Sequence, residues 1–153
     1  MALEIRDSNI SELENAPNIH DLLLEYAAES AIKGLPHPSA KVSLYKTLEQ
    51  NNSLHTIGAF LDGILIGYIN ILYPILPHYG AIIAVAESYF VAKEQRKTGA
   101  GLKLLRAAQE FAKTKNSPGL LVSAPIGGDL AEVLPRVGYT ETNRVFFMGF
   151  GDE

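Results

Sequence analysis

Cysteine is absent from the 153 residues of this chain. Its absence excludes disulfide bonds, thiolate metal ligands and a cysteine nucleophile. A long apolar run is missing too: residues 58–77 come closest, but Asp62, Gly63, Asn70 and Pro74 interrupt them, so we expect no membrane-spanning segment. The first six residues lack the charged start and apolar run of a secretory signal. These absences predict a soluble cytoplasmic protein.

An excess of positive charge is also missing. The chain has 17 acidic and 13 basic residues, for a net charge of −4. Binding to a nucleic-acid backbone relies on accumulated Lys and Arg, so we do not expect broad nucleic-acid affinity. Local nucleic-acid binding through a small basic patch stays an open alternative. With 47% hydrophobic and 20% charged residues, the composition is that of a globular protein, and the length suits a single domain over residues 1–153.

Residue patterns that hold metals or form hydrolase triads are not found in the sequence. The four histidines are scattered without an i, i+4 pair or clustered carboxylates, so we expect no metal site; they are His20, His37, His55 and His78. No Gly-x-Ser-x-Gly segment exists, so Ser123 and Asp129 do not suggest a triad.

A glycine-rich turn is the most informative segment that is present. It lies between the apolar segment 87–91, which predicts a strand, and the amphipathic segment 102–115, which predicts a helix. The turn consists of Arg96, Lys97, Thr98, Gly99, Ala100 and Gly101. Free backbone N–H groups at the start of a helix attract anions, and phosphate is the usual one. Arg96 and Lys97 add positive charge at the rim of this predicted anion site.

Two familiar phosphate loops do not fit this turn. A nucleoside-triphosphate loop needs Gly-x-x-x-x-Gly-Lys-Ser/Thr, which no segment matches. A dinucleotide fingerprint needs a third glycine where this chain has Leu104, and it lies early in a parallel unit rather than two-thirds along the chain. What remains is Arg-x-x-Gly-x-Gly after a strand.

Hydrophobic periodicity predicts one α+β domain without internal repeats. Asp62-Gly63 is the strongest hairpin signal, Ser39 is the predicted N-cap of the second helix, and two prolines make 34–38 a loop. The predicted strands are 3–6, 54–61, 64–72, 81–91, 119–123 and 145–150, and the predicted helices are 18–31, 39–50, 102–115 and 129–136.

With its flanking elements, the turn resembles the coenzyme-A pyrophosphate loop of the GNAT superfamily of N-acetyltransferases. The order of predicted elements follows the family along nearly the whole chain. Val137-Gly138-Tyr139 lies where the family has a hydrophobic-Gly-aromatic turn, and Glu87 lies where many members have an acidic residue. The resemblance implies the GNAT fold, an α/β/α layered arrangement with a mixed, mostly antiparallel sheet flanked by helices.

The resemblance further implies transfer of an acetyl group from acetyl-CoA to a primary amine of a small molecule or macromolecule, by direct attack through a tetrahedral intermediate. Glu87 is the candidate general base, directly or through water. Leu35, His37 and Tyr89 are the candidate acceptor-site residues. The expected coenzyme-binding residues are Phe90 or Val91, whose N–H would stabilise the oxyanion, with Arg96, Lys97, Thr98, Gly99, Ala100 and Gly101.

One position departs from the family. Many members have a Tyr that protonates the leaving thiolate where this chain has Leu134, followed by Pro135. The departure keeps an alternative open, a non-catalytic acyl-CoA-binding module that acts as a sensor or scaffold. Glu25 and Glu29 are predicted to form a solvated helix face. The apolar residues of 146–150 are predicted to form the core and edge of a last strand, which could also pair across a homodimer.

Overall fold

The computed structural model describes residues 2–37 and 41–151. Its strands are β1 (Leu3–Ser8), β2 (Leu54–Leu61), β3 (Ile64–Leu72), β4 (Ile75–Leu76), β5 (Ala81–Ile82), β6 (Ala84–Val91) and β7 (Leu120–Val122). Its helices are α1 (Ile10–Glu14), α2 (Ile19–Ser30), α3 (Val42–Gln50), α4 (Ala100–Thr114) and α5 (Asp129–Arg136), with a 3₁₀ turn at Lys93–Gln95.

The main sheet has the strand order β1-β2-β3-β6-β7. All neighbours are antiparallel except β6 and β7, which are parallel. The β2–β3 hairpin turns at Asp62 and Gly63, whose φ angles of 51° and 83° are both left-handed, as a tight hairpin turn requires. The predicted α+β fold with a mostly antiparallel mixed sheet is therefore confirmed.

Helices cover both faces of the sheet because successive strand residues point to opposite sides. On one face Ile57, Ile69 and Ile71 pack with Leu104 and Leu105 of α4, all of them buried. On the other face the strands pack with α1 and α2 through Leu13, Leu22, Phe60, Tyr68 and Phe90. The apolar stripes of α2 and α4 thus each bury against a sheet face, whereas α3 has no buried residue.

Several elements differ from the sequence predictions. Helix α1 and strand β4 were not predicted, and the strand expected over 81–91 is divided between β5, which pairs with β4, and β6. Ile83 lies between β5 and β6, and its N–H donates to the carbonyl of Pro74, the residue before β4. The predicted N-cap Ser39 and the loop residue Pro38 lie outside the described residues.

The strand predicted over 145–150 was wrong. Residues 139–150 form neither helix nor strand, and Val145, Phe146, Met148 and Phe150 are exposed rather than part of a core. A strand exists only where a neighbouring strand pairs with its backbone. No backbone hydrogen bond joins residues 140–150 to the rest of the described chain.

Candidate active site

The parallel strands β6 and β7 separate before β6 ends. Their ladder runs from Ala84 opposite Leu120 to Ala86 opposite Val122 and stops there. Beyond it, Ala92 N–H donates to the carbonyl of Ile66 on the β3 side, at 2.8 Å. Because successive N–H groups of a strand point in opposite directions, the N–H of Val91 points away from β3, into the opening. That of Phe90 points toward β3.

The start of α4 offers free donors next to this opening. Gly99, with φ of 87°, is the N-cap, and Thr98 Oγ1 accepts a 3.2 Å hydrogen bond from Ala100 N–H. The N–H groups of Gly101 and Leu102 have no acceptor among the described residues. With the positive end of the helix dipole, they form a site that can bind an anion.

Two glycines allow the site to pack closely. A β-carbon at Gly101 would lie 2.8 Å from the hydroxyl oxygen of Tyr89, and one at Gly67 would lie 2.7 Å from the carbonyl oxygen of Phe90. The hydroxyl of Tyr89, which was predicted for the acceptor site, therefore lies against the first turn of α4. Burial, assisted by Tyr139, raises the pKa of Tyr89 to about 12, so this hydroxyl stays protonated at neutral pH.

The two basic residues of the loop differ in their surroundings. The Arg96 guanidinium donates to the Val91 carbonyl at 2.9 Å and to both oxygens of Glu29 at 2.7 and 2.9 Å. Lys97 is exposed. Arg96 thus fastens the loop to α2, although it is partly exposed itself, whereas Lys97 forms no salt bridge with the described residues.

Glu25 and Glu29, predicted as a solvated face of α2, both support the loop. Glu25 Oε1 accepts from Lys93 N–H at 3.0 Å, while Glu29 binds Arg96. Both contacts join residues far apart in sequence, so helical periodicity could not reveal them.

Glu87 occupies a β-bulge. Asn70 pairs with Ser88 and Ile71 with Ala86, so Glu87 is the extra residue of β6 at this point. A bulge of this kind redirects a side chain. Here it brings the exposed carboxylate of Glu87 to the face where Tyr45 of α3 lies, and the Tyr45 hydroxyl is 3.0 Å from each Glu87 oxygen.

A buried row of polar side chains runs across the sheet to the bulge. Thr56 Oγ1 donates to Asn70 Oδ1 at 2.6 Å, and Asn70 Nδ2 donates to Ser88 Oγ at 2.9 Å. The three residues are directly opposite one another on β2, β3 and β6. Burial and then Glu87 raise the pKa of Tyr45 well above its usual value, and the neighbouring Ser88 hydroxyl acts in the opposite direction. Tyr45 therefore remains a hydrogen-bond donor to Glu87.

Sequence reasoning did not select Tyr45, Asn70 or Ser88 for the site. A signal existed for two of them, since Asn70 and Ser88 interrupt otherwise apolar strands. The sequence carried no signal of a functional role for Tyr45, because it lies on the predicted apolar face of α3.

The predicted acceptor residues on the α2–α3 loop are exposed. Neither Leu35 nor His37 is buried, and the side chain that hydrogen-bonds to Glu87 in the described structure is Tyr45. The Phe147 ring lies against Gly34 in the same loop, where its Cε2 would be 2.8 Å from a β-carbon. Leu134, where the family often has a Tyr, is 7% exposed and packs in the α4-side core.

A concave region of about 700 Å³ lies elsewhere, between β1, β2 and α4, and neither Glu87 nor the glycine-rich loop lines it. Another region, of about 200 Å³, lies between α2 and the 3₁₀ turn. In the described part of the chain, no three His, Asp or Glu side chains are grouped to hold a metal ion. Nor is any helix described there both long and apolar enough to cross a membrane.

Residues 18–124 match the model of the acetyltransferase (GNAT) family. The chain belongs to this family. It is an N-acetyltransferase by family, and GNAT enzymes use acetyl-CoA as donor. The matched region contains α2, Glu87 and the whole glycine-rich loop of this GNAT enzyme.

Solved structures share the fold at low sequence identity. A ribosomal-protein-alanine N-acetyltransferase from Brucella melitensis biovar Abortus 2308 is 18% identical with a TM-score of 0.74, covering 98% of this chain and 100% of that one. AAC(6')-Iy in complex with the bisubstrate analog CoA-S-monomethyl-acetylneamine is 22% identical with a TM-score of 0.75 and 97% coverage of both chains.

A third similar structure is the aminoglycoside acetyltransferase meta-AAC0020 from an uncultured soil metagenomic sample, in complex with trehalose. It is 21% identical with a TM-score of 0.71, covering 99% of this GNAT chain and 97% of that one. No curated protein sequence matches the chain significantly.

Proposed function

We propose that this GNAT enzyme transfers the acetyl group of acetyl-CoA to a primary amine that approaches Glu87, by direct attack on the thioester. The observation that carries the proposal is the adjacency, at the end of β6, of three parts: the open β6–β7 edge, the unpartnered N–H groups of α4 and the bulged Glu87. The acceptor is either a small amine or an amine of a macromolecule. No metal takes part in the proposed step.

The coenzyme diphosphate binds at the start of α4. The N–H groups of Gly101 and Leu102 are its donors, and the exposed Lys97 adds positive charge. The pantetheine arm then enters between β6 and β7, which brings the thioester to Val91. The Val91 N–H, directed into that opening, stabilises the oxyanion of the tetrahedral intermediate.

Glu87 attracts the cationic amine and accepts its proton directly or through water. A free alkylammonium has a pKa of about 10.4, so it must lose a proton before its nitrogen can attack. The new C–N bond then forms, the C–S bond breaks, and the amine proton leaves through Glu87 to solvent. Tyr45 holds the carboxylate in one orientation through its hydroxyl.

Water protonates the departing thiolate. A thiol has a pKa of about 8.5, so its thiolate leaves without a dedicated acid. Tyr89, with its pKa raised to about 12, is too weak an acid to replace the missing Tyr and acts as a hydrogen-bond donor beside the coenzyme. Leu134 completes the core instead of donating a proton.

Replacing Glu87 by Gln tests the acceptor half of the proposal. Positioned general bases contribute about 10²–10⁴-fold, so Glu87→Gln should lower kcat about 100-fold or more and change the pH–rate profile while the Kd for acetyl-CoA stays constant. Thiol release from acetyl-CoA, screened against small amines, polyamines and peptides, supplies the rates.

The matched control is Glu132→Gln, which removes an exposed carboxylate on α5. It should keep the wild-type rate and profile. If Glu87→Gln also behaves like wild type with the best acceptor, Glu87 has no part in the reaction.

A further inference from the structure

The Glu87 carboxylate is held by a hydroxyl group on a weakly packed helix. Glu87 is exposed, and among the described side chains Tyr45 is the one that donates to it, at 3.0 Å to each oxygen. Tyr45 belongs to α3, a helix with no buried residue. A general base must be held at a fixed position to accept a proton efficiently. Helix α3 alone is therefore a weak anchor for the Tyr45 hydroxyl.

The buried polar row lies directly behind this contact. Thr56, Asn70 and Ser88 are 1%, 4% and 5% exposed, and they lie side by side on three neighbouring strands. Since neighbouring strands are about 4.8 Å apart, the row spans about 10 Å of the sheet. Its last member, Ser88, follows Glu87 in the sequence and pairs with Asn70 at the register position next to the bulge. The row therefore ends beside the residue whose side chain the bulge redirects.

The chemistry of the amide gives this row a direction. Asn70 Oδ1 can only accept, so the Thr56 hydroxyl donates to it, and Asn70 Nδ2 can only donate, so Ser88 Oγ accepts. The Ser88 hydroxyl then has its own proton left to donate. Burial is the main cause that raises the pKa of Tyr45, and the Ser88 hydroxyl opposes it. A donor to the phenol oxygen has this effect, so the Ser88 proton points toward Tyr45.

We infer that Ser88, with Asn70 and Thr56 behind it, is a positioning residue for the acetyl transfer. The inference rests on the proposed role of Glu87 as the base. Hydrogen bonds run from Thr56 to Asn70, to Ser88, to Tyr45 and finally to Glu87, so every donated proton points toward the carboxylate. Hydrogen bonds in such a chain strengthen one another. The rigid sheet thereby fixes the Glu87 carboxylate against the incoming amine.

Stability alone does not require polar side chains in this row. Replacing both partners of a buried hydrogen bond by apolar groups of the same shape can be nearly neutral. A fully paired polar row instead specifies one arrangement of the strands that carry it. At this place the register between β3 and β6 creates the bulge, and the bulge directs Glu87. The row therefore holds Glu87 by two routes, the register and the Tyr45 hydroxyl.

Kinetics of Ser88→Ala and Tyr45→Phe, alone and combined, test the inference. Each change removes one hydroxyl without adding volume. We expect each single variant to lower kcat about fivefold to tenfold, the equivalent of one hydrogen bond, and to leave the Kd for acetyl-CoA unchanged. The acidic limb of the pH–rate profile should move to higher pH, because fewer hydrogen bonds then favour the ionised carboxylate. The double variant should lose no more than Tyr45→Phe alone, since Ser88 acts through that hydroxyl.

Ser117→Ala is the matched control. Ser117 is also a buried serine whose hydroxyl has two partners: it accepts from Ala84 N–H at 2.9 Å and donates to the Gly119 carbonyl at 2.7 Å. It supports the start of β6 and not the bulge. In denaturant titration Ser117→Ala should lose stability as Ser88→Ala does, but it should keep the wild-type kcat and pH–rate profile.

Thr56→Val, with a side chain of the same shape, repeats the test at the far end of the row, where we expect a smaller loss of kcat. A wild-type rate for Ser88→Ala beside an impaired Glu87→Gln overturns this inference and leaves the proposed function standing. Additive losses for Ser88→Ala and Tyr45→Phe, or an equal loss for Ser117→Ala, overturn it as well. A wild-type rate for Glu87→Gln overturns both the inference and the proposed function.

Discussion

Glu87 shows how a single extra residue sets the direction of a carboxylate. The sequence placed Glu87 on the strand before the glycine-rich loop, at the position expected for an acidic residue. It could not predict the bulge, because a bulge depends on the register against β3 and not on local composition. The Tyr45 contact likewise joins residues 42 positions apart.

The contacts of Arg96 were also not predictable from the local sequence. A basic residue beside a predicted phosphate loop suggests a ligand contact. In the fold its guanidinium binds Glu29, 67 positions away, and the carbonyl of Val91. Sequence proximity thus identified the loop but not the partner of each charge within it.

Glu12 gives a pH-dependent prediction at this scale. Hydrogen bonds from Arg6 and Ser8 lower the pKa of Glu12 to about 2 from an ordinary value of 4.5. A lowered pKa in the folded state means that the contribution to stability is present above pH 4.5 and is lost as the pH falls toward 2. Denaturant unfolding should therefore show Glu12→Gln less stable than wild type at pH 7, with the gap closing between pH 4.5 and 2.

The gap at pH 7 should be modest because both side chains are about one-third exposed. Glu110→Gln, which removes a carboxylate that is 72% exposed beside Lys113 on the surface of α4, serves as the control. A Glu12→Gln deficit that stays constant down to pH 2 would show that the ion pair is not its cause.

At the scale of the elements, strong hydrophobic periodicity predicted the helices and strands correctly in most cases. The hairpin strands 54–61 and 64–72 and helix α5 have the predicted bounds, and α4 buries the predicted residues Leu104, Leu105 and Ala108. Short elements were not predictable. Helix α1 has five residues and strand β4 has two, too few for a period to emerge.

The buried polar row across β2, β3 and β6 carries a stability prediction. Asn70→Leu leaves the hydroxyls of Thr56 and Ser88 without their partner, whereas Thr56→Val removes only the end of the row. An unsatisfied buried polar group costs about 1–3 kcal/mol, so Asn70→Leu should reduce the free energy of unfolding more than Thr56→Val does.

Denaturant titration of both variants measures which one loses more free energy of unfolding. Similar circular dichroism spectra for the two proteins would show that the sheet itself persists. If Thr56→Val proves as destabilising as Asn70→Leu, the row does not act as a connected unit.

For the whole molecule, the family and fold followed from the order of elements together with one loop. The conformation of residues 145–150 did not follow, because an apolar, aromatic segment indicates a preference for a strand but does not show which strand would lie beside it. Residues 145–150 have that preference without a partner in their own chain. The identity of the acceptor was not predictable from the sequence either, because it depends on the shapes of loops around Glu87 and not on a transferable motif.

The central claim, that the start of α4 binds the coenzyme diphosphate, is tested most directly by calorimetry of acetyl-CoA with Gly99→Asp. Gly99 has φ of 87° and open space around a β-carbon, and the new carboxylate would face the diphosphate. Gly63→Asp is a matched control, with φ of 83° and equally open space in the β2–β3 turn. The account predicts wild-type affinity for Gly63→Asp and no measurable binding for Gly99→Asp; wild-type affinity in both would contradict it.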